Sequence, residues 1–143
     1  MSPSGRTTRK TSSIVKAIAS AEGRTSGEIR VFIQQGKIDD TIAAARTQFQ
    51  KLGMTATRER NAVLIFVAPR SQKFAVVGDE AIHQRCGDEF WQQLIETIGA
   101  YFKRSEFTSA IVMAIEVAGE RLAQHFPRRA GDRNELADQV EEG

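Results

Sequence analysis

Ala62-Val63-Leu64-Ile65-Phe66-Val67-Ala68 is an unbroken apolar run whose middle is rich in β-branched side chains. It is too short for a stable helix, and it predicts a strand buried on both faces. Such a strand needs neighbours on either side and a layer of helices above and below. Downstream, Pro69-Arg70-Ser71-Gln72 has turn chemistry, and Lys73–Gly78 then reads as a strand returning antiparallel. Upstream, Glu28–Gln35 alternates Ile29, Val31 and Ile33 with Arg30, Phe32 and Gln34, the period of a strand. Between these two strands, Asp39 or Asp40 can cap a helix whose stripe is Ile42, Ala45, Phe49 and Leu52, ending at Gly53. A strand reached through a helix lies parallel to its predecessor by a right-handed crossover.

The flanks supply the second helical layer. Thr11, Ser12 and Ser13 offer caps for a helix carrying Ile14, Ala17, Ile18 and Ala21, which Gly23 stops. Asp79 caps a helical stretch through Cys86, which Gly87-Asp88 interrupts. A longer helix then carries Phe90, Leu94, Ile98, Tyr101 and Phe102. From Ser105 a last helix places Phe107, Ala110, Ile111, Ala114, Ile115, Ala118 and Leu122 on one face, and Pro127 ends it. The predicted fold is α/β, a three-layer α/β/α sandwich with a small mixed sheet flanked by helices. The domain spans residues 14–126, between a flexible basic arm over 1–13 and an acidic tail over 127–143.

The 143 residues suit one core, and 41% hydrophobic with 27% charged residues is ordinary globular usage. A net charge of +2 from 20 basic and 18 acidic groups gives no field that would select nucleic acid or an anionic membrane. Cys86 is the single cysteine, which excludes an intrachain disulfide. The basic N-terminal residues precede no apolar h-region, and no run approaches the roughly 20 apolar residues that span a bilayer. The expected location is therefore the cytoplasm.

Strand direction sorts the loops onto two edges of the sheet. One gathers Gly36–Asp40 and Pro69–Gln72. The other gathers Thr25–Glu28, the polar loop Thr55–Asn61, and Gly78-Asp79-Glu80 with His83 one turn on. The second edge therefore brings Glu28, Asn61, Asp79, Glu80 and His83 into reach of one another. An oxygen-rich set drawn from several loops suits calcium or magnesium, although no consecutive loop matches an EF-hand. Arg58 and Arg60 on the same edge are candidate anion contacts. Asp79 has a second reading as a helix cap, His83 as a surface histidine, and Cys86 as a small core residue. Phosphate-binding glycine loops, dinucleotide fingerprints, Gly-x-Ser-x-Gly elbows and zinc spacings are all missing from the sequence. No catalytic nucleophile can be named.

Ala21-Glu22 with Thr25-Ser26-Gly27-Glu28-Ile29, then Asn61–Ala68, Val77-Gly78-Asp79 and Phe107 together resemble the TPM domain family. The resemblance covers about residues 14–126. It implies an α/β/α sandwich, calcium binding and acid phosphatase activity in some members, and photosystem repair in plant ones. The ending His125-Phe126-Pro127 is similar to a short branch of that family, which implies a membrane-anchored relative as protein partner. Asn61 and Asp79 are the positions the resemblance carries over. Here Ala62 follows Asn61, where other members have glycine.

The leading expectation is a divalent-cation-binding or protein-binding module linked to the maintenance of membrane proteins. The alternative is a metal-assisted acid phosphatase, with Asp79 and Glu80 holding the cation and Arg58 or Arg60 clamping phosphate. A third is nucleic-acid binding through the basic arm, for which the sequence offers no recognisable module.

Overall fold

The structure is a computed structural model that describes residues 4–128 and 140–142, with side chains placed from Ser12 to Arg128. In chain order it contains helix α1 (Ser4–Glu22), strand β1 (Glu28–Ile33), helix α2 (Thr41–Lys51), strand β2 (Ala62–Ala68), strand β3 (Lys73–Gly78), helix α3 (Glu80–Phe102), helix α4 (Phe107–His125) and strand β4 (Val140–Glu142). Two 3₁₀ turns, Met54–Ala56 and Pro69–Ser71, join the strands to their neighbours.

The apolar run is the centre of the sheet, whose strand order is β3-β2-β1-β4. β1 runs parallel to β2 with Glu28 opposite Ala62 and Ile33 opposite Val67, and β3 returns antiparallel with Lys73 opposite Ala68 and Gly78 opposite Val63. Every residue of β2 is buried. Its pleat divides the core. Val63, Ile65 and Val67 join Ile29 and Val31 against α1, α3 and α4. Leu64, Phe66 and Ala68 join Phe32 against Ala45 and Phe49 of α2 and Met54. Phe32 and Phe66 stack with ring centroids 5.3 Å apart. Each fully buried side chain of this size contributes about 1.5–3 kcal/mol, so the two-sided strand is a large contributor to stability. The three-layer sandwich is as expected.

Several elements differ from the sequence reading, each for a local reason. α1 starts at Ser4 instead of at the caps Thr11–Ser13, because Arg6, Arg9 and Lys10 are good helix formers and no proline interrupts the run from Ser4 to Glu22. Residues 1–3 of the expected arm and 129–139 and 143 of the expected tail lie outside the described residues. Val140–Glu142, expected to be solvated tail, forms β4 and pairs parallel with Val31–Ile33. Three residues, two of them glutamates, carry no hydrophobic period to announce a strand. α2 turns Thr41, Ala45 and Phe49 inward, an i, i+4, i+8 face, and leaves Ile42 exposed. Asp40, with its side chain accepting from Ala43 N, is the cap. Ser105 adopts a left-handed conformation (φ 56°), so α4 begins two residues later, at Phe107.

The interruption expected at Gly87-Asp88 is present. Gly87 is non-helical inside α3 (φ 71°, ψ −176°), a conformation that glycine alone adopts without strain.

At Gly119 on α4, a Cβ would stand 2.6 Å from Ala21 Cβ on α1, so the two helices touch at a point with no flexible atom to yield. Gly119→Ala should force α1 and α4 apart and cost about 1–3 kcal/mol. Urea unfolding checks this, and an unchanged midpoint would show that the helices are free to slide.

Candidate functional site

The expected polar edge forms at the N-terminal ends of β1 and β2 and the C-terminal end of β3. The ladder between β2 and β3 continues past both strands, because Asp79 N donates to Ala62 O at 2.9 Å and Ala81 N donates to Arg60 O at 3.1 Å. This extension brings the loop before β2 against the start of α3. Arg60, in a left-handed conformation (φ 53°), lays its guanidinium along the Asp79 carboxylate. Nε donates to Oδ2 at 2.6 Å and Nη2 to Oδ1 at 2.8 Å. Oδ1 also accepts from Glu80 N at 2.8 Å, capping α3. Asp79 is only 6% exposed. The hydrogen bond to Asp79, with the Asp79 and Glu80 charges behind it, raises the Arg60 pKa above its ordinary value and keeps the cation in place. Glu80 Oε1 stands 3.7 Å from Arg60 Nη1 on the solvent side.

The other members of the expected set have separate engagements. Asn61 is buried, donates from its backbone N to Thr57 Oγ1 at 3.3 Å, and donates from Nδ2 to Ser26 Oγ at 3.2 Å. Its Oδ1 is buried and accepts no hydrogen bond. Glu28 is buried at the start of β1, opposite Ala62. His83 is exposed and tilts against the Trp91 ring, with centroids 4.8 Å apart. Arg58 is exposed on the loop, while Arg60 is committed to Asp79. Among the described residues no three His, Cys, Asp or Glu side chains are arranged to hold a metal ion. Both Asp79 oxygens face a guanidinium, which would repel a metal and would have to leave first.

Sequence reasoning missed a second polar network beside this edge. Glu22 Oε2 accepts from Ile29 N at 2.7 Å, and Thr25 Oγ1 donates to Phe126 O. Ser26 N donates to the same carbonyl at 2.9 Å, and Arg128 Nη1 donates to Glu22 O at 2.7 Å. The Ala21–Ile29 segment therefore clamps the end of α4 to the start of β1. A buried polar residue satisfied by distant backbone has no periodicity, and only its polarity beside an apolar helix end (Glu22 after Ala21) could have signalled it.

Cys86 is half-buried, and burial pushes its thiol pKa up against the lowering pull of Arg121 and Arg85. A thiol so placed is a poor nucleophile.

A different feature lies along the outer edge of β3. Phe74–Gly78 forms the floor of a groove of about 470 Å³ walled by Ile42 and Arg46 of α2 on one side and His83, Trp91 and Ile95 of α3 on the other. Ile42 and Ile95 are 58% and 53% exposed, and they are the exposed large hydrophobics among the described residues. Gly78 is required here because a Cβ would meet Trp91 Cη2 at 2.4 Å.

A TPM domain profile matches residues 7–121. The chain is also similar to the BA42 protein of the psychrophilic bacterium Bizionia argentinensis, solved by NMR. The identity is 36% and the TM-score 0.88, over 94% of this chain and 93% of that one. A comparison with curated proteins found no match.

If the Arg60–Asp79 pair is structural, Asp79→Ala should lose about 1 kcal/mol from the cap alone. A double-mutant cycle with Arg60→Ala should show a non-zero coupling in urea unfolding. Additive single effects would mean that the pair does not hold the edge.

Proposed function

Because the chain belongs to the TPM domain family, we propose that it serves as a protein-binding module and that the partner docks in the groove along β3. The observation that carries this reading is the placement of Ile42 and Ile95. Isolated exposed apolar side chains are common on any surface. These two come from opposite layers of the sandwich and flank the same edge strand, with Phe74, Val76 and Trp91 between them. A partner covering the groove would remove both from water at once. The polar edge supports the same reading from the other side, since Arg60 and Asp79 are spent on each other in joining β2, β3 and α3.

The family resemblance makes a membrane-anchored TPM relative the first partner to test. No helix among the described residues is long and apolar enough to cross a membrane itself. Titrating the soluble domain of such a relative into the ¹⁵N-labelled chain should shift amides of β3, of residues 42–46 and of residues 83–95. The double variant Ile42→Asp/Ile95→Asp should abolish those shifts while changing stability by only about 0.5 kcal/mol per site, as exposed positions do. Shifts confined instead to residues 25–28 and 58–61 would move the docking face to the polar edge.

A second reading, a divalent cation at the polar edge, is favoured by one observation: Asn61 Oδ1 is buried without a hydrogen bond. Calcium and then magnesium titrations of the wild type and Arg60→Ala test it. The cation reading requires saturable amide shifts over residues 25–28, 58–61 and 79–83, stronger when the competing guanidinium is gone. Unchanged spectra of both proteins at about millimolar cation, the weak end of calcium sites, would remove it.

A further inference from the structure

Resting on the docking face just described, we infer that its occupant is an extended polypeptide segment that joins the sheet as a new strand beside β3 and presents a carboxylate to Arg46. The hydrogen-bond pattern of the sheet carries the first half. In an antiparallel ladder, directly opposed residues alternate between exchanging both backbone hydrogen bonds and exchanging none. Asp79 N donates to Ala62 O, and Ala81 N to Arg60 O, in the same register that sets Gly78 opposite Val63. Counting back along β3, Val77, Ala75 and Lys73 bond to β2. Phe74, Val76 and Gly78 therefore turn their N–H and C=O groups away from it, toward the groove. β2 is fully buried whereas β3 is mostly half-exposed, as an edge strand should be. Among the described residues no strand pairs with this row of alternating donors and acceptors, which floors the groove, and an added strand would pair with it. A docked helix bonds its own backbone internally and would leave this row unmet.

The groove's flanks suit side chains projecting to both faces of an added strand. One set would meet Ile42 and Arg46 on the α2 side, the other Trp91 and Ile95 on the α3 side. Strand geometry sends successive side chains to opposite faces, so apolar residues on both sides of the segment would be covered.

Charge carries the second half. The ionisable side chains lining the groove are Arg46 and His83, with no carboxylate among the lining residues. Arg46 is exposed and has no ion-pair partner among the described residues. Asp40 is engaged in capping α2, and Glu80 faces Arg60. A second copy offering its own β3 would bring another Arg46 and no balancing carboxylate from its own groove lining, so self-pairing is the poorer match.

The test uses two synthetic octapeptides of alternating valine and threonine, one with central glutamates and the other with lysines in their place. Each is titrated into the ¹⁵N-labelled full chain. The glutamate peptide should bind saturably, at least about tenfold more tightly than the lysine peptide, and Arg46→Glu should reverse that order. At saturation the amide hydrogens of Phe74, Val76 and Gly78 should exchange at least about tenfold more slowly, while those of Val77 and Ala75, already paired, change little. Groove shifts without slowed exchange at these three amides would overturn strand addition and leave the docking face standing. Equal affinities would overturn the carboxylate. If neither peptide shifts the groove but the TPM relative does, the occupant is not a strand. If none of the three does, the docking face falls as well.

Discussion

Burial of β2 on both faces is the constraint from which the remainder of the fold follows. A strand with no polar side chain over seven residues must be paired along both edges and covered above and below. The parallel partner β1 and the antiparallel partner β3 meet the first requirement. α1, α3 and α4 on one face and α2 on the other meet the second. The asymmetry of three helices against one leaves the α2 layer narrow. β3 lies at the edge of the sheet beside that narrow layer, so its outer side forms an open groove.

The buried polar residues at this edge are mostly joints. Glu22, Thr25, Asn61 and Asp79 are buried, and each hydrogen-bonds a group distant in sequence or a backbone N–H at the start of a strand or helix. The bidentate Arg60–Asp79 pair closes the loop before β2 onto the start of α3 and continues the β2–β3 ladder beyond its last named residue. Such groups are fixed because a buried polar atom without a partner costs about 1–3 kcal/mol.

The two edges of the sheet contrast. At β1 the edge is closed by β4, whose backbone pairs with Val31–Ile33. At β3 the corresponding row of backbone groups faces a groove with an isoleucine on either wall. Proteins usually protect an edge strand with charges, bulges or cover. β3 has one charged residue, Lys73, at its first position, and the rest of its length is Phe-Ala-Val-Val-Gly. This composition suits a strand that is covered when a partner is present.

Much of the architecture was legible in local sequence. The apolar run of β2, the alternation of β1, the turn at Pro69–Gln72, the caps Asp40 and Asp79 and the break at Gly87 are all short-range signals, set by side-chain period and backbone preference. Direction along the chain also placed Glu28, Asn61, Asp79 and His83 at one edge of the sheet, since loop position follows from strand order. What tertiary structure decided was the use of those residues. Whether Asp79 faces a cation or a guanidinium depends on where Arg60 points, and that depends on the register of the ladder and the left-handed turn at Arg60. The strand at Val140–Glu142 and the exposure of Ile42 also escaped local reading. One is created by a free edge far away in sequence, and the other by the rotation of α2 on the sheet. Period and propensity act over a few residues, whereas pairing, burial and charge contact depend on which distant segments the core brings together.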